Sequence, residues 1–164
     1  MDHAAREALC RRCGVSCHFA IPVNGLAVVL PELRCRYLAK VQTPLPVATA
    51  DERFHCTVYE DRFEKAPWCM TAERAAEGGF LAQDCPYTKG VAGYRGKVRL
   101  SASLRKQVEP AIVAEILRVG VPVGADPLAV LSLLNKNGDR FRPILSDDKT
   151  RTLFVKDLPC ERDS

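Results

Sequence analysis

The chain has 164 residues, a formal net charge of +4 and eight cysteines. That length suits one domain with enough apolar content for a core, which excludes general disorder, and the basic residues alternate with acidic ones, so nucleic acid is permitted as a partner but not indicated. The longest early apolar stretch, Gly25 to Leu30, is far short of the about 20 residues that span a bilayer; with no apolar run of signal-peptide length before Cys10, the expectation is a cytoplasmic protein with reduced thiols and no membrane partner.

In chain order, Asp2 can cap a short helix through Leu9, and Gly14 permits a tight turn just past Cys13. The segment from His18 to Asn24 reads as loop, Gly25 to Leu30 as a short strand, and Leu33 to Leu38 as a second strand carrying Cys35. Pro44 and Pro46 extend the chain from Gln42 to Thr49. Cys56 to Lys65 predicts a turn or two of helix, ended by Pro67 with Cys69 on the following bend. Thr71 caps a helix to Glu77 that Gly78-Gly79 stops.

From Gly90 onward no cysteine occurs until Cys160. Leu104, Val108, Ile112, Ile116 and Leu117 recur at helical spacing, predicting an amphipathic segment bent or restarted at Pro110. Asp126-Pro127 opens a helix from Leu128 to Lys136, and Asn137-Gly138 stops it. Phe141 to Leu145 and Arg151 to Val155 form a closing hairpin. The fold class is therefore α+β: an irregular cysteine-rich subdomain (1–90) packed against a helical subdomain with a C-terminal hairpin (91–164), forming one compact domain overall.

Seven of the eight cysteines lie between Cys10 and Cys85. The run Cys10-Arg-Arg-Cys13-Gly-Val-Ser-Cys17 can wrap thiolates around one metal centre, and sulfur donors favour zinc, Cu(I) or iron-sulfur centres over magnesium or calcium. In a reducing compartment such spacing indicates a metal site or redox pair more than a disulfide. No phosphate loop, dinucleotide fingerprint, nucleophile elbow or zinc-deaminase signature occurs.

Cys10, Cys13, Gly14 and Cys17, then Arg34-Cys35-Arg36-Tyr37-Leu38, then Cys56-Thr-Val-Tyr59-Glu60-Asp-Arg62-Phe63, Pro67, Cys69 and Cys85-Pro86-Tyr87 together resemble the zinc- or iron-chelating CxxCxxCC family (YkgJ-type), closest to its YcgN branch. The resemblance covers Cys10 to Tyr87 and implies that Cys35, Cys56, Cys69 and Cys85 join Cys10, Cys13 and Cys17 as metal ligands. Ser16 stands where the family has the first of two adjacent cysteines, and a hydroxyl is a poor ligand for a soft metal. His18 or His55 could supply that donor. Seven thiols and one imidazole would fill two closed four-coordinate sites, and seven thiols alone could hold a small cluster. Glu60 and Arg62 would form an ion pair orienting the cysteine loops, and Trp68 would shield the site from water. Arg11, Arg12, Arg34 and Arg36 would offset thiolate charge.

Three functions follow from this resemblance and these residues. The first is a structural or metal-handling interaction module binding zinc or iron, with a protein as partner. The second is an iron-sulfur-dependent redox or methyl-transfer enzyme, since the resembling family includes flagellin lysine N-methylase. The third is a zinc-stabilised protein or nucleic-acid adaptor with Arg95, Lys97, Arg99, Arg105 and Lys106 facing phosphates.

Overall fold

In the computed structural model, residues 9, 13–41 and 53–158 are described, and they form an α+β fold. The expected helix before Cys10 and the extended segment from Gln42 to Thr49 lie outside the described residues, as do Cys10 and Cys160. Gly14, at φ 70°, turns the chain into a single 3-10 turn, Val15–Cys17. A hairpin follows. Strand β1 (His18–Val23) pairs antiparallel with β2 (Leu26–Arg34) across Asn24 and Gly25, whose φ values of 49° and 78° are those of a primed turn.

The segment read as loop from His18 to Asn24 is thus a strand. Asn-Gly between apolar runs supplies two left-handed residues cheaply, and the resulting turn twist matches the strands on either side. Pro31 lies within β2 where the register with β1 slips between His18 and Ala20, so no ladder hydrogen bond is lost to its missing N–H. The second expected strand also shifts: β2 ends at Arg34, Cys35 makes a lone bridge with Ala125, and β3 is Leu38–Lys40. Strand β4 (Phe54–Cys56) pairs antiparallel with β3.

Helix α1 (Arg62–Lys65) is one turn, and α2 (Ala72–Glu77) begins as read, with Thr71 Oγ accepting from Arg74 N at 3.4 Å. Strand β5 (Val98–Arg99) pairs parallel with β2. Helix α3 (Ala102–Val119) runs unbroken through Pro110. The expected restart is absent because Pro110 and Lys106 are both exposed, so the carbonyl that loses its donor there can meet water. After β6 (Val121–Pro122), Asp126 caps α4 (Pro127–Leu134) by accepting from Leu128 N at 3.1 Å. The closing hairpin is β7 (Phe141–Leu145) and β8 (Arg151–Lys156), with β6 on the far side of β8.

The main core crosses the composition change at Gly90. Ile21, Val28, Leu30 and Leu33 from the first hairpin pack with Ile112 and Ile116 of α3, Val130, Leu133 and Leu134 of α4, and Phe154 of β8. Beside the cysteines the halves also meet through backbone: Arg36 N donates to Gly124 O at 3.0 Å and Asp126 N to Arg34 O at 3.0 Å. Among the described residues no helix is long and apolar enough to cross a membrane.

Candidate metal centre

Four cysteines from four separate segments share one neighbourhood at one end of the first hairpin, without closing into a ligand shell. Cys17 ends the 3-10 turn and its carbonyl accepts from Cys35 N at 2.7 Å, which continues the β1–β2 ladder one step past His18 and Arg34. Cys56, at the end of β4, lies opposite Leu38, whose own N–H donates to Cys35 O at 2.9 Å. Cys69 closes the turn after α1, its N–H donating to Ala66 O at 2.8 Å. The Cys17 thiol feels the charges of Cys35, Cys69 and Cys56, and Cys69 feels those of Cys56 and Cys35. Among the described residues, no three side chains of His, Cys, Asp or Glu are drawn together as a coordination shell.

Burial pushes the Cys17 thiol up to about 11, with the three neighbouring thiols adding to the rise and a hydrogen bond from Ser16 opposing it. Cys69 is raised too, first by burial, while the Arg62 guanidinium pulls it back. Without a cation these groups hold their protons. The arrangement disfavours bare thiolates and would favour them once a divalent ion lay beside them.

Cys13 and Cys85 stand apart from that quartet, both packed against the small apolar cluster of Val15, Val29 and Ala82. His18 is 4% exposed, edge-on to Phe54 with ring centroids 5.6 Å apart, and its Nδ1 donates to Gly14 O at 2.8 Å. Burial lowers its pKa. In the neutral ring that bond leaves Nε2 with the lone pair, the form a ligating histidine needs. His55 is exposed on β4 and alternates to the face opposite Cys56. Ser16 is exposed, with its Oγ 3.8 Å from Cys17 Sγ.

Trp68 lies against Cys35. Its Nε1 donates to Cys35 Sγ at 3.4 Å, its ring stacks on Tyr37 at 6.2 Å, and Arg36 lies over it at 5.9 Å. Gly124 makes room, since a Cβ there would fall 2.4 Å from the indole Cε2. Arg62 is seated on the Tyr59 carbonyl at 2.7 Å and between the Tyr59 and Phe63 rings, rather than in the expected pair with Glu60. Arg34 and Arg36 turn to the C-terminal half, the first to Asp126 at 3.1 Å and the second to the Val123 carbonyl.

A second cation, read from the sequence as a surface residue, lies beside Cys17. Lys97, expected in a phosphate-facing patch, is 6% exposed, and its Nζ donates to the carbonyls of His18, Ser16 and Val15 at 2.6, 3.1 and 3.4 Å. Burial lowers it to about 8 against the opposing pull of Cys17. Arg99 donates to Cys13 O, and Arg105 pairs with Glu32 at 2.6 Å. Three of the five patch residues are therefore consumed within the fold. The one sequence signal for this placement is Gly96, where a Cβ would lie 2.4 Å from Leu81 O, marking the close approach that carries Lys97 inward.

Compared with protein-family models, with curated proteins and with solved structures, the chain matches none.

Proposed function

We propose that this protein binds zinc or iron through its cysteine-rich half and serves as a structural or metal-handling module. The observation that carries the reading is that backbone pairing brings Cys17, Cys35 and Cys56, with Cys69 near them, from four distant segments into one neighbourhood, where Trp68 Nε1 donates to Cys35 Sγ. Cysteines of a plain core would scatter among apolar side chains, whereas Cys17, Cys35 and Cys56 are partly exposed and linked through the backbone bonds Cys35 N to Cys17 O and Leu38 N to Cys35 O and the Leu38–Cys56 pairing. The four thiols would hold one ion, and Cys13 and Cys85 would contribute to a second centre, for which His18 has the right tautomer and His55 the wrong orientation. Zinc there would supply folding energy, whereas iron or an iron-sulfur cluster would supply electron transfer. Thiols of this kind stay reduced in the cytoplasm, where a protein would be the natural partner of a closed structural module.

The deciding experiment is elemental analysis with a visible spectrum of protein purified anaerobically without a metal-binding tag. The expected result is bound zinc or iron that falls by at least half in the Cys35→Ser, Cys56→Ser double variant. A folded protein that carries no metal and takes up neither Zn2+ nor Fe2+ overturns the reading.

A further inference from the structure

Lys97 occupies an unusual position for a lysine. Its ammonium is buried, and all three of its protons are directed at carbonyls that flank one cysteine: Val15 and Ser16 before Cys17, and His18 after it. Its backbone meanwhile fixes the segment leading to Cys85, with Lys97 N donating to Leu81 O at 2.8 Å and Gln83 N donating to Lys97 O at 2.9 Å. One residue thus ties the turn presenting Cys17 to the loop presenting Cys85. The Phe80 ring, 5.7 Å away, forms another wall.

The charge is harder to explain than the hydrogen bonds. An ammonium buried without a counter-ion is costly, and carbonyl dipoles offset only part of that cost. Among the described residues no carboxylate pairs with Lys97, and its ammonium is held on the carbonyls either side of Cys17. A zinc ion held by four thiolates is a dianion, and a cation fixed beside one of its ligands stabilises it.

We propose that Lys97 is the positioning residue and built-in counter-cation of the thiolate centre at Cys17, holding that cysteine's turn in place and balancing the centre's negative charge when metal is bound. This rests on the metal-binding reading above. Lys97 lies outside the stretch that resembles a known family, and the role follows from its burial and its three acceptors.

The test measures zinc affinity, by competition with a chromophoric chelator, for wild type, Lys97→Met, Lys97→Gln and Lys97→Arg in the full chain. Ile116→Val, in the main core, serves as a stability control. Loss of an outer partner of a metal ligand typically weakens binding by about 10- to 100-fold. That loss is expected for Lys97→Gln and Lys97→Met, with recovery to within about threefold in Lys97→Arg, and no change in Ile116→Val despite its lower melting temperature. Charge-transfer bands of the Co2+-loaded protein provide a second readout, expected to weaken in Lys97→Gln and return in Lys97→Arg. If Lys97→Met fails to fold, the Gln and Arg variants carry the comparison. Wild-type affinity in Lys97→Gln overturns the counter-cation role while leaving metal binding intact, and equal losses in Gln and Arg overturn it as well. A wild type that binds no Zn2+ or Co2+ overturns both readings together.

Discussion

Replacing Gly14 by alanine is expected to destabilise the whole cysteine half, and the size of the effect can be worked from two local terms. Gly14 sits at φ 70°, where an L side chain costs about 1–2 kcal/mol. Its new Cβ would also stand 2.9 Å from Cγ and Cδ2 of Phe54, a ring that is itself buried and packed against His18. Forcing an extra methyl into such a contact costs roughly 1–3 kcal/mol. The sum, about 2–5 kcal/mol, corresponds to at least about 4 °C in melting temperature for a domain of this size. Thermal unfolding followed by circular dichroism measures it. Adding Phe54→Leu should recover part of the loss, because the second term arises from that ring, giving a coupling of about 1 kcal/mol between the two sites. A melting temperature within about 2 °C of wild type, or strict additivity in the double variant, would refute the reasoning.

The remaining predictions concern the same end of the molecule. Gly124→Ala should displace Trp68, the chain's single tryptophan, shifting its fluorescence to the red and speeding alkylation of Cys35; an unchanged spectrum would contradict the packing described. In metal-free protein at pH 8, Cys17 should label slowly with iodoacetamide. A thiol held near 11 rather than 9 is ionised about a hundredth as often, so labelling should climb steeply only above pH 10, and mass mapping of the modified cysteines checks this. The raised value also means that the native state keeps a proton the unfolded chain releases, so this group's contribution is complete below pH 9 and is lost as the pH rises through about 11; a chemical-denaturation series across that window should show stability falling. Asp126→Ala removes both the α4 cap and the partner of Arg34, and a loss of about 1–2 kcal/mol is expected in urea unfolding, with a change under about 0.5 kcal/mol counting against the assignment.

What the sequence reveals and what it hides divide along range of interaction. Caps are local, so Thr71 and Asp126 announce their helices, and Phe141–Leu145 and Arg151–Lys156 announce their hairpin by composition alone. Asn24-Gly25 is an equally local signal, yet the strand before it is hidden by Pro22, and the one after, legible as far as Leu30, continues past Pro31 to Arg34. Both prolines are tolerated, the first because β1 is an edge strand and the second because it falls at the register slip. The spacing of Cys10, Cys13 and Cys17 suggests metal, but it cannot show that Cys17 is grouped with Cys35, Cys56 and Cys69 while Cys13 lies near Cys85. That sorting depends on the β3–β4 pairing and on the Cys35–Ala125 bridge, both made between residues far apart in sequence. Lys97 was hidden for the same reason. Exposed Arg95 and Arg99 stand two residues to either side of it, and Gly96 marks a close approach without showing which basic side chain of Arg95-Gly96-Lys97-Val98-Arg99 turns inward.

The division of the chain by composition also differs from its division by contact. Cysteines end at Cys85 until the last residues, yet the backbone on either side of Cys35 is fastened to residues 124–126, and the loop before Cys85 is fastened to Lys97. Any force that tightens the thiol quartet therefore acts on segments whose other partners are α4 and the parallel strand β5. The main core, drawn from the first hairpin, α3, α4 and β8, cannot open at one end without disturbing Leu33, two residues from Cys35. A ligand that binds only the folded state stabilises everything that must unfold with its site. Metal bound at the quartet would accordingly raise the stability of the C-terminal hairpin as much as that of the cysteine loops, although no cysteine of the quartet lies within sixty residues of β7 or β8 in the sequence.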